Sequence, residues 1–392
     1  MTPFAPLEGV VVLDLSRYLP GPMLTRILCD LGATVFKIEP PSGDTLRWLP
    51  PYVDGLNAGF GALHAGKRSV VIDLKRPGGA DLVLAMAAQA DVLVESNRPG
   101  VLDRLGLGWE RLHAANPRLI LASLSGYGQR ASNRDAAGHD INYLARAGIL
   151  AAQGPAGEAP VAPAVQVADV GGGSLPAAIA VLGALLERQR TGVGRHLDLA
   201  LTRGALAFGA LSLAAAAAGV GEPRGGGLLN GGSPCYRCYL TADGGAVAVG
   251  ALEQGFWKNL CKVLGRPDLI PAQFAAGAEG AAAVAELSRV FASKTRAEWA
   301  ALLEGRDACA EVVRTPEEVL ADADFADQLV FVDGHLVVRP ELGVPGALGT
   351  PGPVPALGAH LDEAIQWFKL SDAQVEAARA AIHLEPTDHR PR

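Results

Sequence analysis

The fold is decided by residues 9–39, which have the sequence GVVVLDLSRYLPGPMLTRILCDLGATVFKIE. The stretch opens with a short run of β-branched residues and continues with apolar residues at helical spacing between Leu24 and Leu31. Gly32 follows, and glycine is a residue that commonly ends a helix. A second apolar run, Thr34–Glu39, comes directly afterwards. The pattern predicts a strand, a helix and a second strand, the order in which a helix joins two parallel strands.

The same alternation continues through the first half of the chain. Helices are predicted near Gly79–Ala88 and Trp109–Ala115, and they separate further apolar runs. Those runs are Ser69–Leu74, Asp91–Glu95, Arg118–Ser123 and Arg195–Leu199. Strands that are apolar throughout belong to sheets covered on both faces. We therefore expect an α/β fold with a large Rossmann-like domain built on a parallel sheet.

Three common nucleotide-binding and hydrolase motifs are absent from the sequence. No G-x-G-x-x-G follows the first strand, and neither G-x-x-x-x-G-K-[ST] nor G-x-S-x-G occurs. These motifs mark dinucleotide-binding proteins, P-loop proteins and α/β-hydrolases in that order, so the sequence disfavours all three classes.

The composition is that of a mildly acidic globular protein. Of 392 residues, 49% are hydrophobic and 19% charged, and 34 basic residues against 41 acidic ones give a net charge of −7. Such a chain is neither disordered nor collagen-like, and it has no positive field to attract a nucleic acid. Only a few local lysines and arginines could hold an anionic ligand.

The cysteines and the apolar segments indicate a reduced, cytoplasmic protein. Five cysteines form no disulfide framework, and the pair Cys235 and Cys238 has no second pair with which to bind a metal, so we expect none. The N-terminus lacks the basic and apolar regions of a signal peptide. The best membrane candidate, Ala205–Gly221, is too short, and we expect a buried helix there and no membrane span.

A candidate base lies in the segment Gly138-His-Asp-Ile-Asn-Tyr143, which opens a predicted helix. A histidine at a helix N-terminus tends to stay neutral, because the positive end of the helix dipole disfavours imidazolium. Neutral imidazole accepts a proton, so His139 is the candidate. A structural histidine and a capping role for Asp140 are the alternatives that the residues alone leave open.

Two carboxylates lie in comparable settings. Asp169 precedes Gly171–Gly173, and glycines let a ligand or another backbone approach closely while their N–H groups can receive an oxyanion. Glu253 follows the predicted strand Ala246–Gly250, and strand ends are where such folds place catalytic groups. An N-cap aspartate and a solvated loop glutamate are the alternatives.

As a set, these segments resemble the family III CoA-transferase superfamily, also called CaiB/BaiF-like, and most closely its α-methylacyl-CoA racemases. The resemblance also rests on motifs spread along the chain. They are Pro20–Pro22, Asp30–Glu39, Gly66–Lys75, Asn97–Gly100, Asp103–Gly108, Gly231–Pro234, Thr241–Gly244 and His360–Glu363. Nearly the whole chain is therefore covered.

The resemblance implies two reactions, between which Asp169 alone does not decide. In the transferases the matching aspartate is a nucleophile that forms an acyl anhydride and then a CoA thioester, whereas in the racemases it is a base. His139, oriented by Glu253, favours a racemase, because racemisation removes a proton on one face and delivers one on the other. We expect a racemase of 2-methylacyl-CoA thioesters acting through an enolate. A CoA-transferase between carboxylic acids and a non-catalytic CoA-binding protein are the alternatives.

The resemblance also implies a CoA site and no further cofactor, since CoA is part of the acyl-CoA thioester substrate. Lys75, Arg98 and Arg104 are expected to meet the CoA phosphates. Gly138 and Tyr143 are expected to belong to the same site.

By resemblance, the architecture would be an interlocked homodimer of two-domain chains. The large α/β domain would begin with residues 1–200, and a linker helix region would occupy 201–224. The glycine-rich run at 221–227 indicates the boundary to a smaller α+β domain over 225–330. Residues 331–392 would return to the large domain and end in a C-terminal helix.

Overall fold

The computed structural model describes residues 4–341 and 348–380. Its strands are β1 (Val11–Asp14), β2 (Thr34–Glu39), β3 (Tyr52–Val53), β4 (Leu56–Asn57), β5 (Arg68–Val71), β6 (Val92–Glu95), β7 (Ile120–Ser125), β8 (His196–Ala200), β9 (Tyr236–Leu240), β10 (Ala246–Gly250), β11 (Ala310–Val312), β12 (Leu329–Val332) and β13 (His335–Val338). Its α-helices are α1 (Pro20–Asp30), α2 (Ala58–His64), α3 (Gly79–Ala87), α4 (Val101–Arg104), α5 (Trp109–Ala115), α6 (Asp140–Arg146), α7 (Leu175–Thr191), α8 (Leu201–Ala205), α9 (Ala210–Ala217), α10 (Gln254–Val263), α11 (Gly277–Phe291), α12 (Arg296–Leu303), α13 (Pro316–Leu320), α14 (Leu361–Trp367) and α15 (Asp372–Ala380). A π-helix, Val167–Ser174, directly precedes α7.

Six parallel strands form the main sheet, in the order β5–β2–β1–β6–β7–β8. Val12 of β1 pairs with Val35 of β2 on one side and with Val92 of β6 on the other. The predicted α/β class and parallel sheet are confirmed, and each predicted strand overlaps an observed one. The strand order reverses between β1 and β6. Ligands of such sheets bind at the carboxyl ends of the strands beside this switch point.

Helices cover both faces of the main sheet, which explains why most residues of its strands are apolar. On one face α3, α5 and α14 contribute the buried side chains of Leu82, Leu112 and Ala364. On the other face α1 and α7 pack against the strands. The helical segment Val167–Thr191 has the length and apolarity of a membrane span, and its α7 part fills the core beside the sheet.

The prediction of one buried helix over Ala205–Gly221 is wrong. The structure has α8 ending at Ala205, a 3₁₀ turn over Leu206–Gly209, and then α9, in which no residue is buried. Alanine has the highest helix propensity, so the composition predicted helix correctly. A methyl side chain offers little apolar area, however, and the same composition does not require burial.

Two compact units divide the chain. Unit 1 comprises Met1–Ala147, Val165–Ala207 and Ala323–Arg392, and it contains the main sheet. Unit 2 comprises Gly148–Ala164 and Phe208–Asp322, and its antiparallel sheet β11–β10–β9 packs with α10, α11 and α12 around a core of its own. The small domain predicted over 225–330 begins and ends later than unit 2, and its later start follows from taking the glycine run as the boundary. Of the predicted return over 331–392, residues 342–347 and 381–392 lie outside the described residues.

Candidate active site

A cavity of about 520 Å³, called the first cavity below, lies in unit 1 at the carboxyl ends of β1, β6 and β7. This is the switch point of the main sheet, where the topology predicts a ligand. Five of the predicted site residues line it, and they come from three separate stretches of chain. They are Arg98, Gly138, His139, Tyr143 and Asp169.

Asp169 lies half-buried inside the π-helix, whose N-cap is Gln166, so the N-cap alternative does not hold. Its backbone N–H donates to Oδ1 of Asp140 over 2.8 Å. Burial raises the pKa of the Asp169 carboxyl to about 6, the negative charge of Asp140 adds to the rise, and His139 opposes it. A carboxyl in this state can take up and release a proton near neutrality.

The glycine run beside Asp169 serves close packing of backbone on backbone. A Cβ added to Gly172 would lie 2.7 Å from the backbone nitrogen of Ala205, and one added to Gly204 would lie 1.7 Å from the carbonyl oxygen of Gly172. Real Cβ atoms do not approach so closely, so only glycine fits at either position. The prediction that another backbone approaches here is met by α8.

His139 is the N-cap residue of α6, and its side chain is exposed at the first cavity. Its backbone N–H donates to Oδ1 of Asn142 over 3.0 Å, which fixes the start of the helix. The next residue, Asp140, is the one whose carboxylate holds the Asp169 backbone. The first turn of α6 therefore contacts the segment that carries Asp169.

Tyr143 forms part of the wall between these residues. Its ring lies where a Cβ would be on Gly126 (2.4 Å) and close to where one would be on Gly138 (2.7 Å), so both positions require glycine. Its hydroxyl donates to the carbonyl oxygen of Gly138. Burial raises the pKa of Tyr143 to about 12, with the charge of Asp169 contributing, so the hydroxyl stays protonated as a donor.

The three predicted phosphate contacts are placed differently. Arg98 is exposed at the first cavity and has no ion-pair partner within the described ranges. Lys75 lines a second cavity of about 280 Å³, which shares Arg17 and Asn97 with the first. Arg104 is the exposed last residue of α4 and lines neither cavity.

Glu253 belongs to unit 2, where it is the exposed N-cap residue of α10. The residues that line the first cavity all belong to unit 1. The predicted orientation of His139 by Glu253 therefore stays a prediction. Across residues 4–341 and 348–380, no three His, Cys, Asp or Glu side chains converge as metal ligands would.

Sequence reasoning missed Arg17, which lines both cavities. Its backbone N–H donates to Oγ of Ser96 over 2.9 Å, and this bond joins the loop after β1 to the loop after β6. The next residue, Tyr18, has a left-handed backbone with φ of 65°, which is uncommon for a tyrosine. The position of a basic residue directly after the first predicted strand could have marked Arg17 as a candidate.

Known proteins resemble this chain along most of its length. The family described as CoA-transferase family III matches residues 7–360. The alpha-methylacyl-CoA racemase of Homo sapiens is 37% identical over 94% of this chain and 95% of its own. The succinyl-CoA:glutarate CoA-transferase of Mus musculus is 33% identical over 91% of this chain and 84% of its own. A crystal structure of a CaiB/BaiF family protein from Brucella suis superimposes with a TM-score of 0.81 at 31% identity, covering 93% of this chain and 99% of that one.

Proposed function

Because the chain belongs to CoA-transferase family III, whose members are acyl-CoA racemases and CoA-transferases, we propose that it racemises 2-methylacyl-CoA thioesters. One observation carries the proposal: His139 and Asp169, two groups able to carry a proton, line the same cavity. The pKa of about 6 suits Asp169 to give a proton back as readily as it takes one.

In the proposed reaction one group removes the α-proton and the other delivers a proton to the opposite face. The C–H bond breaks toward the base, its electron pair enters an enolate, and the enolate takes a proton from the acid on the other side. Glu253 would orient His139. Lys75, Arg98 and Arg104 would hold the CoA phosphates, with Gly138 and Tyr143 beside them, and the scheme uses no further cofactor.

The proposal extends to assembly and compartment. By resemblance to the family, two chains would interlock as a homodimer in the cytoplasm, with an acyl-CoA thioester as the ligand and neither nucleic acid nor membrane as a partner. Gel filtration at micromolar concentration should then give a dimer that dilution does not dissociate. A monomer that appears on dilution would contradict the interlocked arrangement.

A second candidate is CoA transfer between carboxylic acids, because a transferase matches the chain at 33% identity against 37% for the racemase. The Asp169 carboxylate would attack the thioester carbonyl and expel the CoA thiolate, forming an anhydride. The thiolate would then attack the aspartyl carbonyl, release the acid and leave CoA bound to Asp169 as a thioester.

Deuterium exchange separates the two candidates. The protein is incubated with (R)- or (S)-2-methylacyl-CoA in D₂O without an acceptor acid. A racemase should place deuterium at the α-carbon and abolish optical activity, since its bases exchange protons with solvent. A transferase should stop at a covalent adduct on Asp169, which hydroxylamine traps for mass spectrometry.

Variants identify the group responsible. His139→Ala should lower racemisation by about 10²–10⁴-fold, the usual loss of a general base, whereas a transferase should tolerate it. His113→Ala removes a histidine that lines neither cavity and is the matched control. Asp169→Asn should abolish either activity. Absence of α-deuterium, together with an adduct that survives His139→Ala, would contradict the racemase and support the transferase.

A further inference from the structure

A fully buried ion pair lies at the carboxyl end of β1 and takes no part in the proposed chemistry. Nζ of Lys67 is 3.1 Å from Oδ2 of Asp14, and neither side chain is exposed. The hydroxyls of Ser16 and Thr25 donate to the same carboxylate. Removing both charges from water offsets most of their attraction, so a buried pair adds little net stability. Its position in the fold therefore points to a role in holding other groups in place rather than in adding stability.

The Lys67 ammonium fixes the start of α1. Besides Asp14, it reaches the carbonyl oxygen of Pro22 at 2.9 Å and the hydroxyl oxygen of Thr25 at 2.7 Å. An ammonium has three donors, and these three acceptors use all of them. Pro22 and Thr25 belong to α1, so the ammonium joins this helix to β1. It thereby sets the position of Pro20, the first residue of α1 and a lining residue of the first cavity.

Ser174 connects the start of α1 with the segment that carries Asp169. Its fully buried hydroxyl has one proton to donate and lies 2.8 Å from the carbonyl oxygen of Pro20, its nearer acceptor, and 3.1 Å from that of Asp169. On the other side of the same segment, Gly172 lies against α8. The π-helix is thus held by close backbone packing at Gly172, by the Asp140 carboxylate at Asp169 and by the Ser174 hydroxyl at Pro20.

We propose that Ser174 is a positioning residue for Asp169. It acts through its contact with the start of α1, and the Asp14–Lys67 ion pair holds that end of the helix in place. The ion pair fixes Pro20, Ser174 fixes the π-helix to Pro20, and the π-helix keeps the Asp169 carboxyl half-buried at the first cavity. The inference rests on the proposed function only in taking Asp169 as the reacting carboxylate. Both candidate reactions do so, and the loss of the racemase assignment would leave the inference intact.

Two substitutions of Ser174 separate the hydroxyl from the volume it fills. Ser174→Ala removes the group, and Ser174→Cys keeps nearly the same size with a thiol that donates only weakly. Both should lower kcat by about ten- to a hundredfold, as a displaced reacting group does, while KM for acyl-CoA changes less than about twofold. Val181→Ala is the control, since it removes packing from the buried face of α7 and should lower only the melting temperature.

The titration of Asp169 distinguishes positioning from general destabilisation. Aspartate labelled with ¹³C at the side-chain carboxyl is followed by NMR against pH, and Asp169→Asn assigns the signal. A freed segment exposes the carboxyl to water, so its pKa should fall from about 6 toward 3.8 in both Ser174 variants and stay unchanged in Val181→Ala. If neither Ser174 variant folds, Thr25→Val is the alternative, because it removes the contact between the Lys67 ammonium and α1. It should lower kcat and the pKa of Asp169, as the Ser174 variants should.

Wild-type kcat and wild-type Asp169 titration in Ser174→Cys would show that volume alone matters and would overturn the proposal. Full activity in Asp169→Asn would instead contradict the proposed function. In that case the NMR titration still tests the Ser174 contact by itself, because it needs no turnover.

Discussion

Gly204→Ala tests the close packing that holds the Asp169 segment. A Cβ added to Gly204 would stand 1.7 Å from the carbonyl oxygen of Gly172. Carbon and carbonyl oxygen ordinarily approach to about 3.3 Å, so α8 and the π-helix must separate by roughly 1.6 Å. Both contact atoms belong to the backbone or are fixed to it, and no side-chain rotation relieves the clash. The substitution must therefore move the segment that carries Asp169.

The structure gives a magnitude for this cost. Overpacking a core destabilises by about 1–3 kcal/mol, and a clash with rigid backbone belongs at the upper end, about 3 kcal/mol. Domains of 150–250 residues lose about 2–4 °C of melting temperature per kcal/mol, which predicts a fall of about 6–12 °C. Gly172→Ala should cost less, because its nearest contact, the backbone nitrogen of Ala205, lies at 2.7 Å.

Calorimetry and kinetics of the same proteins check this prediction. Gly255→Ala is the control: nothing lies within 4 Å of the added methyl group, and the loss of chain entropy in the unfolded state should hold or slightly raise the melting temperature. Gly204→Ala should also lose kcat, because the π-helix moves. A Gly204→Ala protein with the melting temperature and kcat of the wild type would refute the reasoning.

Three further predictions concern acid pH and CoA. With the pKa of Asp169 raised to about 6, kcat/KM should fall about tenfold per pH unit below that value, and a profile flat down to about pH 5 would exclude Asp169 as the base. Burial holds the pKa of His64 well below its ordinary 6.5, so in acid only the unfolded chain gains a proton there. The free energy of unfolding, measured with urea, should therefore fall by up to about 1.4 kcal/mol per pH unit below pH 6.5. His64→Phe should reduce that dependence on pH, and an unchanged dependence would contradict the assignment to His64. Arg98→Ala should raise KM for acyl-CoA more than it lowers kcat, because a phosphate contact that takes no part in proton transfer stabilises substrate and transition state alike. Steady-state kinetics with unchanged KM would remove Arg98 from the CoA site.

The main sheet could be predicted because the apolar sequence of each strand shows that the strand is buried on both faces. A strand such as Ile120–Ser125 is buried at every residue, and that requires cover on both faces, hence helices between parallel strands. His139 and Asp169 could likewise be found from their local sequence, since each stands at a helix start or a glycine run. Local patterns of this kind extend over a few residues and can be recognised without knowledge of the tertiary fold.

The remaining features depend on contacts between distant residues. Asp14 and Lys67 are 53 positions apart, and nothing in the local pattern of either predicts their pairing. The glycines Gly171–Gly173 predict that a ligand or another backbone approaches closely. They do not predict that the approaching backbone is that of α8. Arg104 lines neither cavity, so its contact with the CoA phosphates stays a prediction, because spacing along the chain does not fix where a short helix turns its last residue.

Asp169 by itself does not decide between racemase and transferase, because a carboxyl with a pKa of about 6 is mostly ionised at neutral pH and can serve as a base or as a nucleophile. A second proton carrier acting on the same carbon would distinguish them, and His139 is the candidate for that role. Its neighbour Asp140 accepts the backbone N–H of Asp169, so the first turn of α6 contacts the segment that carries Asp169. Racemisation needs two groups that face one carbon from opposite sides. Acyl transfer through Asp169 needs only the carboxylate, so loss of α-proton exchange in His139→Ala is the result that would assign the racemase.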